Sequence, residues 1–81
     1  MARVILSGEA SRLAGGDAEI DIEAGSVMKL FKALGEKYPG LKPHLEEGFS
    51  VAIDGELYED ALFQSIADDA EVVLIAKIEG G

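Results

Sequence analysis

The rhythm of apolar and polar positions changes several times along this chain, and each change marks an element. After Arg3, the residues Val4, Ile5 and Leu6 are apolar and partly β-branched. Residues Arg3 to Leu6 therefore suit a strand at least partly covered on both faces. Gly15-Gly16-Asp17 is a turn signal, because glycine accepts the positive φ that tight turns require. Beyond it Ala18-Glu19-Ile20-Asp21-Ile22-Glu23 alternates strictly, which puts Ile20 and Ile22 on one face and three acids on the other. The two segments predict an N-terminal β-hairpin, with Gly8–Ala14 as a loop or a strand continuation between them.

The period then shifts from two to 3.6. Ser26 is placed to cap a helix, and Val27, Leu30, Phe31, Leu34 and Tyr38 recur at spacings of three and four. Lys29, Lys32 and Glu36 fall away from that apolar stripe, and Met28 sits at its margin, where core edge is the expected role. Tyr38-Pro39-Gly40 ends the helix, since proline cannot continue its hydrogen-bond ladder. Leu41–Glu47, with Pro43 near its start, has room for one or two helical turns.

Phe49-Ser50-Val51-Ala52-Ile53 alternates as a strand, Asp54-Gly55 is a hairpin turn signal, and Glu56-Leu57-Tyr58 is a short return strand. Glu59 to Phe63 suggests a single helical turn, with Leu62, Phe63 and Ile66 apolar, and Asp68-Asp69-Ala70 suggests another turn. Glu71 to Ile78 is the last strand, and its run of Val, Leu and Ile suits the centre of a sheet. Strand, strand, long helix, strand, short strand, strand is an α+β order. With the last strand parallel to the first, it is the β-grasp (ubiquitin-like) arrangement: a mixed sheet of four to five strands with one main helix packed across it. Residues 1–81 form a single domain, with a flexible Gly-Gly tail expected over 79–81.

Composition narrows the functional classes. Sixteen acids against seven bases give a net charge of −9, spread through the chain with no basic patch to interrupt it. Such a field repels phosphate backbones and argues against nucleic acid as a partner. No apolar run approaches the ~20 residues that cross a bilayer, so no membrane role is expected. The absence of cysteine removes disulfides, thiolate metal sites and thiol nucleophiles, and points to a reducing, cytoplasmic setting. Met1 to Leu6 is too short an apolar stretch for a signal peptide.

No side chain offers catalysis on its own. His44 is the sole histidine, without a second His or a Cys to share a metal, so no metal site is expected and a surface or structural role is. The serines lack a nucleophile-elbow pattern, and no phosphate-loop motif is present. Asp54, next to glycine between strands, reads as a turn former rather than a catalytic acid. The tail is different. Glu79-Gly80-Gly81 follows an apolar strand directly, so a carboxylate is carried on two residues that present only backbone. That carboxylate is ionised and inert at neutral pH until something, ordinarily ATP, converts it to a mixed anhydride.

The β-grasp order, the segment Val51-Ala52-Ile53-Asp54-Gly55-Glu56 and the closing Ile78-Glu79-Gly80-Gly81 together resemble the MoaD/ThiS family of sulfur carriers. The resemblance covers essentially the whole chain, and the extra Leu41–Glu47 segment is more like the MoaD branch. It departs from many MoaD members at Ala76-Lys77-Ile78-Glu79, where they carry proline and small residues. The resemblance implies a protein not catalytic alone, with no bound cofactor. An adenylating enzyme of the ubiquitin-activating type would use ATP and a sulfur donor to turn the Gly81 carboxylate, presented with Gly80, into a thiocarboxylate. Sulfur would then pass to a precursor, with the molybdopterin synthase large subunit or another acceptor as partner. Leu62, Phe63, Ile75 and Ile78 are the apolar candidates for partner binding, and Lys77 and Glu79 flank the tail to steer docking.

Three other functions compete with molybdopterin synthesis: thiazole synthesis, conjugation through Gly81 as a ubiquitin-like modifier, and an acyl carrier with Ser65 bearing the prosthetic group. The acyl carrier requires a helix bundle, which the alternating strand patterns oppose.

Overall fold

The computed structural model describes residues 1–6, 8–58 and 62–76. In chain order these form β1 (Ala2–Leu6), α1 (Glu9–Leu13), β2 (Glu19–Ile22), α2 (Val27–Lys37), a 3-10 turn (Lys42–His44), α3 (Leu45–Gly48), β3 (Phe49–Ile53), β4 (Glu56–Tyr58) and β5 (Glu71–Ala76). The five strands make one mixed sheet in the order β2-β1-β5-β3-β4. β5 runs parallel to β1, with Val4 opposite Val72, and antiparallel to β3, with Val51 opposite Leu74. The last strand thus fills the sheet centre beside the first, as its apolar run predicts, and the topology is that of a β-grasp domain.

α2 forms where the 3.6 period begins. Ser26 is extended and its hydroxyl accepts the Lys29 amide at 3.3 Å, satisfying one of the donors a helix start leaves free. The first-turn amides of Val27 and Met28 donate to the carbonyls of Gln64 and Leu62, at 3.0 and 2.8 Å. The segment between β4 and β5 is therefore strapped across the start of α2, and the Ile66 amide closes the strap on the Gly25 carbonyl at 3.0 Å. Val27, Leu30, Phe31 and Leu34 are buried against Val4, Leu6, Val51, Val72 and Leu74 on the inner sheet face. Each such side chain contributes roughly 1.5–3 kcal/mol of hydrophobic free energy, so this layer holds the sheet to the helix.

Two expectations are corrected. Gly8–Ala14 is neither loop nor strand: Glu9–Leu13 is helical, with Ala10 and Ala14 buried and Leu13 packed at the core margin. Those three stand at helical spacing, and Glu9 pairs with Arg12 one turn on. β1 has its inner face buried at Ala2, Val4 and Leu6 and its outer face partly covered at Ile5, as expected, while Arg3 is exposed. Met28 is not core edge; 47 % of it is exposed, because the stripe turns inward on either side of it. The Asp54-Gly55 turn joins β3 to β4 as expected, with positive φ at both residues. The 3-10 turn and α3 fill the expected Leu41–Glu47 segment. Of the turn expected over Glu59 to Phe63, residues 59–61 lie outside those described, as do the last residues expected of β5, Lys77 and Ile78.

Candidate functional site

The candidate site is the sheet face turned away from α2, at the end where β5 leads toward the tail. Register defines it. Opposite one another across the sheet lie Glu19, Ile5, Val73, Ala52 and Leu57, and one step further along β5 Ile75 faces Ser50. Where β1 and β5 begin, the same face carries Asp21, Arg3 and Glu71, and Arg3 pairs with Glu19 at 3.5 Å. The face is thus charged at one end and apolar at the other, and its apolar end is the one from which the chain continues to Lys77.

Ile75 is 40 % exposed and Leu57 56 % exposed, and Ile5, Ala52 and Val73 on the same face are half-buried. Aliphatic side chains are thus left accessible across four strands, the kind of patch that suits a contact surface. Ile75 was expected here from sequence. Ile5, Val73 and Leu57 were not, although surplus apolar residues in β5 were the available signal: Val72 and Leu74 suffice for the core.

The β3–β4 turn steadies the start of this strand. The Asp54 amide donates to the Glu71 carbonyl at 2.8 Å, and Asp54 Oδ1 accepts the Glu71 amide at 3.0 Å. Asp54 is therefore a structural clamp on the central strand, beyond the turn role its sequence context suggests.

The other described candidates fall elsewhere. Leu62 lies on the helix side, lining a groove with Met28, Phe31, Lys32, Lys42 and Leu45. Phe63 follows it in the strap and is 86 % exposed. Leu62 and Phe63 thus do not join Ile75 in one patch. Lys77, Ile78, Glu79, Gly80 and Gly81 lie outside the described residues.

Among the described residues the groups with displaced pKa values have structural partners. The Arg12 guanidinium holds the Glu9 carboxyl below its usual value. Burial, then the bond to Asp17, pushes the Tyr38 hydroxyl up to about 12. The bond to Glu56 raises Tyr58. Among the described residues no three His, Cys, Asp or Glu side chains converge as metal ligands, and His44 is exposed. What the described residues offer is a platform: a central strand, β5, with an accessible apolar face.

Comparison with known proteins agrees with that fold. The family model described as "ThiS family" matches residues 4–81. No curated protein matches the chain. The solution structure of small archaeal modifier protein 1 from Methanosarcina acetivorans superposes with a TM-score of 0.81 at 20 % identity, covering 99 % of this chain and 95 % of that one. A chain of the BexX/CysO complex from Amycolatopsis orientalis gives 0.81 at 15 % identity, with all of both chains covered. A chain of the complex of subunits 1 and 2 of molybdopterin-converting factor from Helicobacter pylori gives 0.68 at 22 % identity, covering 99 % and 97 %.

Proposed function

This chain belongs to the ThiS family of small ubiquitin-like sulfur carriers, which are not themselves catalysts, and from that premise we propose that Gly81 is its working group, activated for sulfur transfer in molybdopterin synthesis. The observation that carries the reading is that the family match runs through to Gly81, on a chain whose last described strand holds the sheet centre. In the proposed cycle a Gly81 carboxylate oxygen attacks the α-phosphorus of ATP on an adenylating enzyme, and pyrophosphate leaves. A sulfur nucleophile then adds to the acyl carbon and AMP departs, which leaves a thiocarboxylate. Gly80 and Gly81 let the backbone enter a narrow slot, because neither carries a side chain to obstruct it.

The apolar end of the outer face, with Ile5, Leu57, Val73 and Ile75, is the surface on which the adenylating enzyme and then the synthase large subunit dock in turn. The likeness to subunit 1 of molybdopterin-converting factor supports the pathway. The likeness to a small archaeal modifier supports a second reading, conjugation of Gly81 to lysine amines through the same acyl-adenylate. Incubation with an adenylating enzyme, ATP and sulfide, followed by intact-mass measurement, is the test. Replacement of one oxygen by sulfur at Gly81 is expected. An unchanged mass with enzymes that thiocarboxylate other family members removes the reading, and Gly81 found in isopeptide linkage favours the second.

A further inference from the structure

The helix side of the molecule carries a surface with a different character. Charge is distributed unevenly along this chain: residues 27–48 hold four bases (Lys29, Lys32, Lys37, Lys42) against three acids (Glu36, Glu46, Glu47), whereas the remainder holds three bases against thirteen acids. The fold gathers those lysines on α2 and the turn after it. Two of them, Lys32 and Lys42, border the groove floored by Met28, Phe31, Leu45 and Leu62. Lys42 is laid into place by Gly35: a Cβ at that buried glycine would sit 3.2 Å from Lys42 Cγ, so the lysine stem crosses α2 where the helix has no side chain. Lysine stems lying on apolar surface with ammonium groups at the rim are suited to a ligand that is itself amphipathic. The strap adds the exposed Phe63 beside the groove and, through its bonds to the α2 amides, holds Leu62 in position.

We propose that this groove docks a partner-protein segment carrying an apolar anchor flanked by carboxylates. Charge complementarity selects that occupant: among the described residues the charged side chains lining the groove, Lys32 and Lys42, are both cationic in a chain of net charge −9. The groove lies on the opposite side of the sheet from Ile75, so an acidic segment is held while the outer face is engaged. The inference is independent of the chemistry at Gly81.

The probe is a short synthetic peptide of leucine and phenylalanine interspersed with glutamate, with a lysine-for-glutamate version as control, titrated into isotope-labelled full-length protein. Amide shifts at Met28, Lys32, Leu45 and Leu62 are expected with the acidic peptide, and binding weakened at least ~10-fold, ~1.4 kcal/mol, in the double variant Lys32→Glu/Lys42→Glu. Both lysines are exposed, so the variant is expected to melt like the parent; if it does not, Lys32→Gln/Lys42→Gln replaces it. Equal binding of both peptides, absence of shifts at these residues, or shifts confined to Leu57, Val73 and Ile75 overturns the proposal. Shifts at the groove that follow protein concentration without peptide also overturn it, in favour of a second copy.

Discussion

Tyr38 Oη donates a 2.8 Å hydrogen bond to Asp17 Oδ2, joining the end of α2 to the turn that follows α1. The ring is buried, so the bond is made at the edge of the core rather than in open water. Its loss in Tyr38→Phe is expected to cost ~1–2 kcal/mol, the range for a bond to a charged acceptor that water regains in part. Urea unfolding at neutral pH measures it.

The same pair predicts a pH dependence. The folded value of about 12 for Tyr38 lies above its ordinary 10.0, so the fold favours the protonated phenol. That contribution is complete below the ordinary value and disappears as pH rises from 10.0 toward about 12. The stability gap between the parent and Tyr38→Phe is therefore expected to narrow across that window, as read from unfolding midpoints on either side of it.

Ile75→Glu puts a charge into the middle of the apolar end of the outer face at a position already 40 % exposed. Folding is expected to survive, while kcat/KM for adenylation falls ~10- to 30-fold, the effect of losing a central interface contact worth ~1.5–2 kcal/mol. Arg3→Gln, at the charged end of the same face, is expected to change the rate far less. Pyrophosphate release by the adenylating enzyme reports both.

Deleting Gly81 is expected to leave the melting temperature unchanged, because the core of Val4, Leu30, Leu34, Val72 and Leu74 is closed without it. Thiocarboxylate formation is expected to vanish. Calorimetry and intact mass on one preparation separate the two effects.

At the β3–β4 turn, Gly55 has φ 86°, a conformation that disfavours any Cβ, and Asp54 holds the Glu71 amide. Gly55→Val is expected to cost ~1–2 kcal/mol from left-handed strain. Asp54→Ala is expected to cost about as much, by freeing the start of β5. Hydrogen exchange at Glu71 and Val72 distinguishes the second from a general loss of stability.

Long, regular patterns were legible. The strict alternation of Glu19–Ile22 and the 3.6 spacing from Val27 to Tyr38 each bury one face, and the residues on that face are the ones the fold uses. Helix α1 was not legible, because its inward residues are two alanines and a leucine, which give too little contrast to announce a period. The outer face was hidden for the opposite reason. Val72 to Ile75 are all apolar, so β5 shows no alternation, and only the register with β1 and β3 separates core-facing Val72 and Leu74 from outward Val73 and Ile75. The groove lysines never form a run in the sequence; Lys32 and Lys42 meet only because the chain turns back after α2. Gly80 and Gly81, the clearest signal in the sequence, lie outside the described residues, so the family match is what speaks for them.

Because the strand that bridges the β1–β2 and β3–β4 hairpins is the last to be synthesised, neither hairpin has a neighbour to complete the sheet while β5 is still inside the ribosome. A nascent chain halted before Val72 and Leu74 emerge leaves the β1 and β3 edges that β5 pairs with open, and unpaired strand edges favour aggregation. Assembly therefore waits on β5: of the described strands it is the one made last and the one that joins the other two pairs.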